Sequence, residues 1–188
     1  MKEVMELQEN YGQILRKYFF EHVLFSIQWW FLLSVTIGLW IIWAILVDKQ
    51  RLKIILLIGL FTSIIALVAD ELGLSYVLWS YPYYLLPYTS TQYPIDAAVI
   101  PVFYMLLYQY FSKWKPYLAT LTIITLFSIF LAEPLFIKLG IYIPLNEWKH
   151  WYSAPGYMLI GIFAKIFGDK INGTATSERK ELSPPNKQ

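Results

Sequence analysis

VLFSIQWWFLLSVTIGLWIIWAILV, running from Val23 to Val47, is 25 residues without a single charge. The hydrocarbon core of a bilayer is about 30 Å thick and takes about 20 helical residues to cross. This run is long enough to do so, and the basic cluster Lys49, Arg51 and Lys53 stops it. It fixes the expected class as an all-α, polytopic transmembrane bundle, and the rest of the chain is read outward from it.

Four further runs follow. Ile54 to Ala69 is uncharged and then meets Asp70 and Glu71, so its helix is expected to cover 54–73. Tyr117 to Ala132 meets Glu133-Pro134 and continues to about 139, and 151–167 forms the last span, with Lys165 near its end. A weaker candidate covers 95–112, with Asp96 near its start and Pro101 inside it. Pro94 suits a helix start, where its missing N–H costs nothing. Pro101 predicts a kink, which bundles tolerate when neighbours satisfy the carbonyl it frees. The count is then about five spans at 23–47, 54–73, 95–112, 117–139 and 151–167.

Composition agrees. The chain is 57% hydrophobic and 15% charged, against roughly 25% charged in ordinary soluble domains. A net charge of +2 over 188 residues gives no electrostatic footprint for nucleic acid. The lack of cysteine excludes disulfides, thiolate metal sites and a cysteine nucleophile. No cleavable signal peptide is expected, because Lys2, Glu3, Glu6, Glu9, Arg16 and Lys17 break up the first 20 residues.

Residues 1–22 place Val4, Leu7, Tyr11, Ile14, Leu15 and Tyr18 at helical spacing. That predicts an amphipathic helix, lying in the membrane interface or packing on the first span. Residues 74–94 mix Tyr76, Trp79, Tyr81, Tyr83, Tyr84, Tyr88 and Tyr93 with three prolines, a headgroup-level composition that also suits a re-entrant loop. The transmembrane bundle is expected over 23–170, followed by a polar, disordered cytoplasmic tail over 171–188. Asn172-Gly173-Thr174 fits a glycosylation sequon, a pattern common by chance.

Five spans put loop 1–2, loop 3–4 and the C-terminus on one side, with 10 of the 15 Lys and Arg. Positive charge concentrates on the cytoplasmic side. The expected setting is therefore a bacterial plasma membrane, with the N-terminus external and the C-terminus cytoplasmic.

That orientation gathers the acids. Asp70 and Glu71 end span two, Asp96 opens span three, and Glu133 lies roughly 24 Å along the helix from Tyr117, so all four fall in the external third. Gln28 and Tyr157 come to the same level. Carboxylates inside a membrane are expensive and normally face the bundle or water. The candidate external binding pocket comprises Gln28, Asp70, Glu71, Trp79, Asp96, Tyr104, Glu133, Trp148 and Tyr157. Against it stand plain roles: Asp96 at a favourable helix start, Asp70 and Glu71 in the headgroup layer, and Glu133 paired with Lys138 or Lys149.

Little else carries chemistry. His22 and His150 show no metal-ligand spacing, no loop has calcium-site spacing, and no phosphate loop, nucleophile elbow or HExxH occurs. No catalytic residue, cofactor or metal is expected. Trp29, Trp30, Trp40 and Trp43 read as interfacial anchors and packing.

Taken in order, several words are distinctive: QWW at Gln28 to Trp30, WAILVDK at Trp43 to Lys49, DELG at Asp70 to Gly73, YPID at Tyr93 to Asp96, and PVFYMLLYQYFSKWK at Pro101 to Lys115. AEPLF at Ala132 to Phe136, GIY at Gly140 to Tyr142 and WKHWYS at Trp148 to Ser153 complete the set. Over about 22–167 the chain resembles an uncharacterised family of small multi-pass membrane proteins from spore-forming Gram-positive bacteria. The resemblance implies a bacterial cell membrane and a link to sporulation or the cell envelope, and brings no mechanism.

Three functions are open. The first is a binding or accessory protein whose acidic, aromatic pocket holds a lipid headgroup, a cationic small molecule or a partner membrane protein, with membrane lipid around it. The second is an intramembrane enzyme acting on an isoprenoid or lipid by general-acid chemistry. The third is a cation or proton pathway through the same acids.

Overall fold

The computed structural model describes the backbone of residues 1–182 and the side chains of residues 1–173. Among the described residues the regular structure is helical, apart from one pair of two-residue strands, with loops between the elements. Helix α1 (Lys2–Tyr18) runs through a widened turn at Phe19–Val23, and Ser26 caps α2 (Ile27–Leu46) by accepting from the Trp29 N–H. A short turn with Asp48 at its head leads into α3 (Leu52–Ser75). A loop containing β1 (Trp79–Ser80) leads to α4 (Ile100–Tyr110), then α5 (Trp114–Phe127), α6 (Glu133–Lys138), β2 (Ile143–Pro144) and α7 (Ala154–Leu182). β1 and β2 pair antiparallel, Trp79 opposite Pro144 and Ser80 opposite Ile143.

Among the described residues, three stretches are long and apolar enough to cross a membrane: Ile27–Leu46, Lys49–Ser75 and Trp114–Lys138. Ile95–Tyr110 is apolar but shorter. α7 carries Lys165, Asp169 and Lys170 along its length.

The weakest span on sequence grounds is the centre of the molecule. Eight of the 11 residues of α4 are buried, enclosed by α2, α3, α5 and α7. The core is built on Tyr104, Leu107 and Tyr108 of α4 against Ile58 and Ala66 of α3, Tyr117 and Leu121 of α5, and Ile160 and Ala164 of α7. α7 reaches this core through small residues. A Cβ on Gly161 would lie 3.0 Å from Tyr104, and one on Gly168 would lie 2.7 Å from Ile58. The two glycines are seven residues apart, two helical turns, and so share one face.

Besides the turn at Phe19–Val23, the described helices widen at two further places, each beside a proline. Five-residue π turns at Ile95–Val99 and Ser128–Ala132 stand just before Pro101 and Pro134. Proline lacks the N–H and clashes with the carbonyl four residues back, and a wider turn relieves both problems. Pro101 thus lies inside the continuous helical stretch Ile95–Tyr110, and the disturbance expected at this proline takes the form of the widened turn just before it. Asp96 lies within the first π turn and Glu133 directly follows the second.

α1 buries none of its residues and leaves Val4, Leu7 and Ile14 exposed. It touches the rest through Tyr11 Oη, which donates to Ser90 Oγ at 3.2 Å, and Leu15, whose carbonyl accepts from Tyr84 Oη at 3.0 Å. Leu15 packs beside Phe19, Val23 and Tyr84, so the helix meets both the 83–90 loop and the start of the expected first span. The tail expected to be disordered from residue 171 is helical as far as Leu182. Ala, Glu, Arg, Lys and Leu in TATSERKEL favour helix, and no proline interrupts before Pro184. The remainder of that expected tail, 183–188, lies outside the described residues.

Candidate functional site

The site is assembled at one end of the bundle, where α3 finishes, the Ile95–Val99 turn begins, and α6 and α7 start. Asp70, on the last full turns of α3, is buried. Trp79 and Tyr81 alternate on the extended chain that follows, so both point the same way. Trp79 Nε1 donates to Asp70 Oδ1 at 2.9 Å and Tyr81 Oη donates to the same oxygen at 2.7 Å. The Gln92 N–H reaches Asp70 Oδ2 at 3.4 Å. The Trp79 ring occupies the space a side chain at position 73 would need, which is why Gly73 suits that turn of α3.

Asp96 stands against this group. Its side chain is 4% exposed, its carboxyl comes within hydrogen-bonding reach of Asp70, and its Oδ2 has no donor. Nearby Gln92 is fully buried; its amide nitrogen donates to the Tyr83 carbonyl at 3.0 Å, while its Oε1 likewise has no donor. Two ionised carboxyls at contact repel unless a proton or another cation lies between them. Backbone bonds fix the position of the pair: Ser63 Oγ donates to the Asp96 carbonyl at 2.7 Å, and Trp40 Nε1 to the Ala97 carbonyl at 3.2 Å.

Glu133 forms the second half. Tyr157 Oη donates to its Oε1 at 2.7 Å and Ser153 Oγ to its Oε2 at 3.3 Å. These hydroxyls take the place expected for Lys138 or Lys149. Tyr104 Oη donates to the Tyr157 carbonyl at 2.6 Å and so links the site to the core. Between the halves lie the rings: Trp79 against Trp148 at 4.9 Å and Tyr81 against Tyr142 at 5.8 Å. Burial holds the Tyr81 phenol well above the ordinary range, with the neighbouring Asp70 carboxyl adding to the effect. Burial raises the Tyr142 phenol as well, followed by the influence of Glu133. Both phenols therefore stay protonated donors through the neutral range.

Of the nine residues expected to form the site, Asp70, Trp79, Asp96, Glu133, Trp148, Tyr157 and Tyr104 are brought together. Glu71 is exposed and accepts from Thr91 Oγ1 at 3.4 Å, and Gln28 donates to the Leu139 carbonyl at 3.3 Å without touching an acid. Tyr81, Gln92, Tyr142 and Ser153 also belong to the site, beyond the nine candidates the sequence offers. The signal for Tyr81 was its alternation with Trp79; no local pattern marks Gln92. The acids are packed beneath rings; a hollow lined by Trp40, Ser63, Ala97 and Met105 lies behind the Asp96 backbone, and another lies by Arg51 and Lys165. Among the described residues, no group of three or more His, Asp or Glu is placed to hold a metal ion.

The opposite end is basic. Arg51 Nε donates to Asp48 Oδ2 and an Arg51 terminal nitrogen to the Gln109 carbonyl, both at 2.8 Å. That guanidinium holds the Asp48 carboxyl below its ordinary value. Compared with known protein families, curated proteins and solved structures, the chain matches none.

Proposed function

We propose that this chain is a five-span integral membrane protein, N-terminus outside and C-terminus cytoplasmic, that binds a positively charged group at the Asp70, Asp96 and Glu133 centre near its external face. The membrane reading is supported by the three long apolar helices and by the separation of an acidic end from a basic one. α4 counts as a span despite its length because protein, not lipid, surrounds it, and a helix enclosed by neighbours need not meet the lipid itself.

The observation that carries the binding role is the Asp96 carboxyl: buried, in reach of Asp70, and with one oxygen lacking a donor. A proton is the smallest cation that satisfies it. The rings of Trp79, Tyr81, Tyr142 and Trp148 favour an organic ammonium, whose charge is attracted to aromatic faces. Entry would go through the β1–β2 pair, which is only two residues long on each side. The backbone around it is left-handed at Val77, Asn146 and Glu147, an unfavourable conformation for valine above all. This is a binding or accessory role.

A permeation role fits less well. Thr62, Thr122 and Ser128 donate to carbonyls of their own helices, so they do not extend the acids into a polar route towards the basic end.

Thermal unfolding of detergent-purified protein, titrated with ethanolamine, tetramethylammonium or sodium chloride at constant ionic strength, tests the reading. Stabilisation by an ammonium compound, lost in Asp96→Asn, is expected. If no cation stabilises the wild type, and Asp96→Asn with Glu133→Gln leaves the cellular phenotype intact at normal protein levels, the reading is wrong.

A further inference from the structure

The basic end holds a second feature with no part in the acidic centre. Lys165, on α7, is 2% exposed, although a buried ammonium is costly and needs partners. It donates to the Ser112 carbonyl at 2.7 Å and to Asp169 Oδ1 at 2.8 Å. Three rings surround it, Tyr108 at 5.0 Å, Tyr117 at 5.6 Å and Trp114 at 6.0 Å. They hold the charge by cation–π attraction without supplying any anion.

Beside it is a hollow of about 340 Å³ lined by Arg51, Tyr108, Ser112, Lys165, Asp169 and Asn172, with Ile54 as its apolar wall. That volume is in the range of small-molecule sites. The donors exceed the acceptors. An ammonium has three N–H groups and a guanidinium five, and the bonds to Ser112, Asp169, Asp48 and Gln109 engage two of each. Two cations and one carboxylate line the space. Lys49, Lys53, Lys113 and Lys170 neighbour these residues along the chain, adding positive charge at this end.

We propose that this hollow binds a phosphate group, with Arg51 and Lys165 as its ligands and the Asp169 carboxylate as a built-in competitor for Lys165. Guanidinium and ammonium together form a charge-assisted donor set suited to phosphate oxygens. The source is the headgroup of an anionic phospholipid or a soluble phosphate. Basic pockets between helices at the cytoplasmic surface suit the former, and Ile54 offers a surface for the start of an acyl chain. The inference is independent of the acidic centre, and only the lipid source rests on the membrane reading.

The test uses the full chain in detergent. Native mass spectrometry after incubation with equimolar phosphatidylglycerol and phosphatidylcholine reads lipid retention. Thermal unfolding in sodium phosphate against chloride of equal ionic strength reads free phosphate. Retention of phosphatidylglycerol alone indicates the headgroup, and stabilisation by inorganic phosphate indicates a soluble ligand; either supports the site. Arg51→Gln is expected to weaken binding roughly tenfold, as for loss of one charge-assisted contact. Asp169→Asn is expected to tighten it several-fold, because the resident carboxylate no longer occupies Lys165. If neither phosphatidylglycerol nor phosphate is preferred, or if Asp169→Asn weakens binding as a purely structural ion pair would, the proposal falls. Should Arg51→Gln fail to fold, the wild-type preference and the Asp169→Asn direction still decide.

Discussion

The indole of Trp40 donates at 3.2 Å to the carbonyl of Ala97, the residue four before Pro101. That is the carbonyl a helical Pro101 leaves without its backbone donor. A tryptophan on α2 therefore repairs a defect in the segment that presents Asp96, and Ser63 on α3 does the same for the next carbonyl back.

Trp40→Phe keeps the ring and removes the donor. Stability should fall by about 0.5–1.5 kcal/mol, the net value of one hydrogen bond. In a Pro101→Ala background, where a backbone N–H is available again, the same change should have less effect. Chemical unfolding of the four proteins in mixed micelles measures this; equal losses in both backgrounds would show that Trp40 does not compensate for Pro101.

Gly168 and Gly156 lie on the same helix and make opposite predictions. A Cβ at 168 would stand 2.5 Å from the Tyr108 ring and 2.7 Å from Ile58, while one at 156 meets nothing within 4 Å. Gly168→Ala should destabilise by roughly 1–3 kcal/mol through overpacking. Gly156→Ala should be neutral or stabilising by up to about 1 kcal/mol, since alanine favours helix. Unfolding midpoints of the two variants, compared with wild type, are the readout.

How much of this was legible follows from where each signal resides. The long apolar helices are one-dimensional features, and Val23–Val47 declares itself by length. α4 does not, because its position in the middle of the bundle comes from contacts with four other helices. Asp96 and Pro101 lowered its apparent apolarity at the very place where neighbours satisfy both. The acids were readable as candidates since charge in an apolar run is anomalous. That Asp70 and Asp96 meet, while Glu71 turns out to solvent, depends on helix rotation that a one-residue difference reverses. Lys165 reads in sequence only as the end of an apolar run; its three rings come from α4 and α5, separated in sequence from α7.

Asp48 gives a pH dependence at the basic end. Its carboxyl is held below the ordinary 3.8 by the Arg51 side chain first, with the Gln50 N–H also contributing. A folded-state value below the unfolded one contributes stability that is fully present above the unfolded pKa and disappears as pH falls through the folded value. Wild type should therefore lose this contribution below pH 3.8, and Asp48→Asn should flatten that part of the acid limb. The group is exposed, so the effect should be small and should shrink further with salt. Thermal unfolding of both proteins between pH 3 and pH 6, at low and high salt, checks the sign.

Tyr157 reports whether Glu133 is held as the geometry shows. Its hydroxyl donates to Glu133 Oε1 at 2.7 Å while its backbone carbonyl accepts from Tyr104 at 2.6 Å, so Tyr157→Phe removes the first bond and leaves the second. A hydrogen bond to an ionised group contributes about 1.5–3 kcal/mol, and one between neutral groups about 1; the loss in Tyr157→Phe should fall in this span. Glu133→Gln replaces the carboxyl with an amide that makes a weaker acceptor, so Tyr157→Phe should cost less in that background. Ser153 Oγ, at 3.3 Å from the other carboxyl oxygen, should contribute less in either case. Additive losses for Tyr157→Phe and Glu133→Gln would mean that the hydroxyl and the carboxyl act separately, and Glu133 would then drop out of the cation-binding centre.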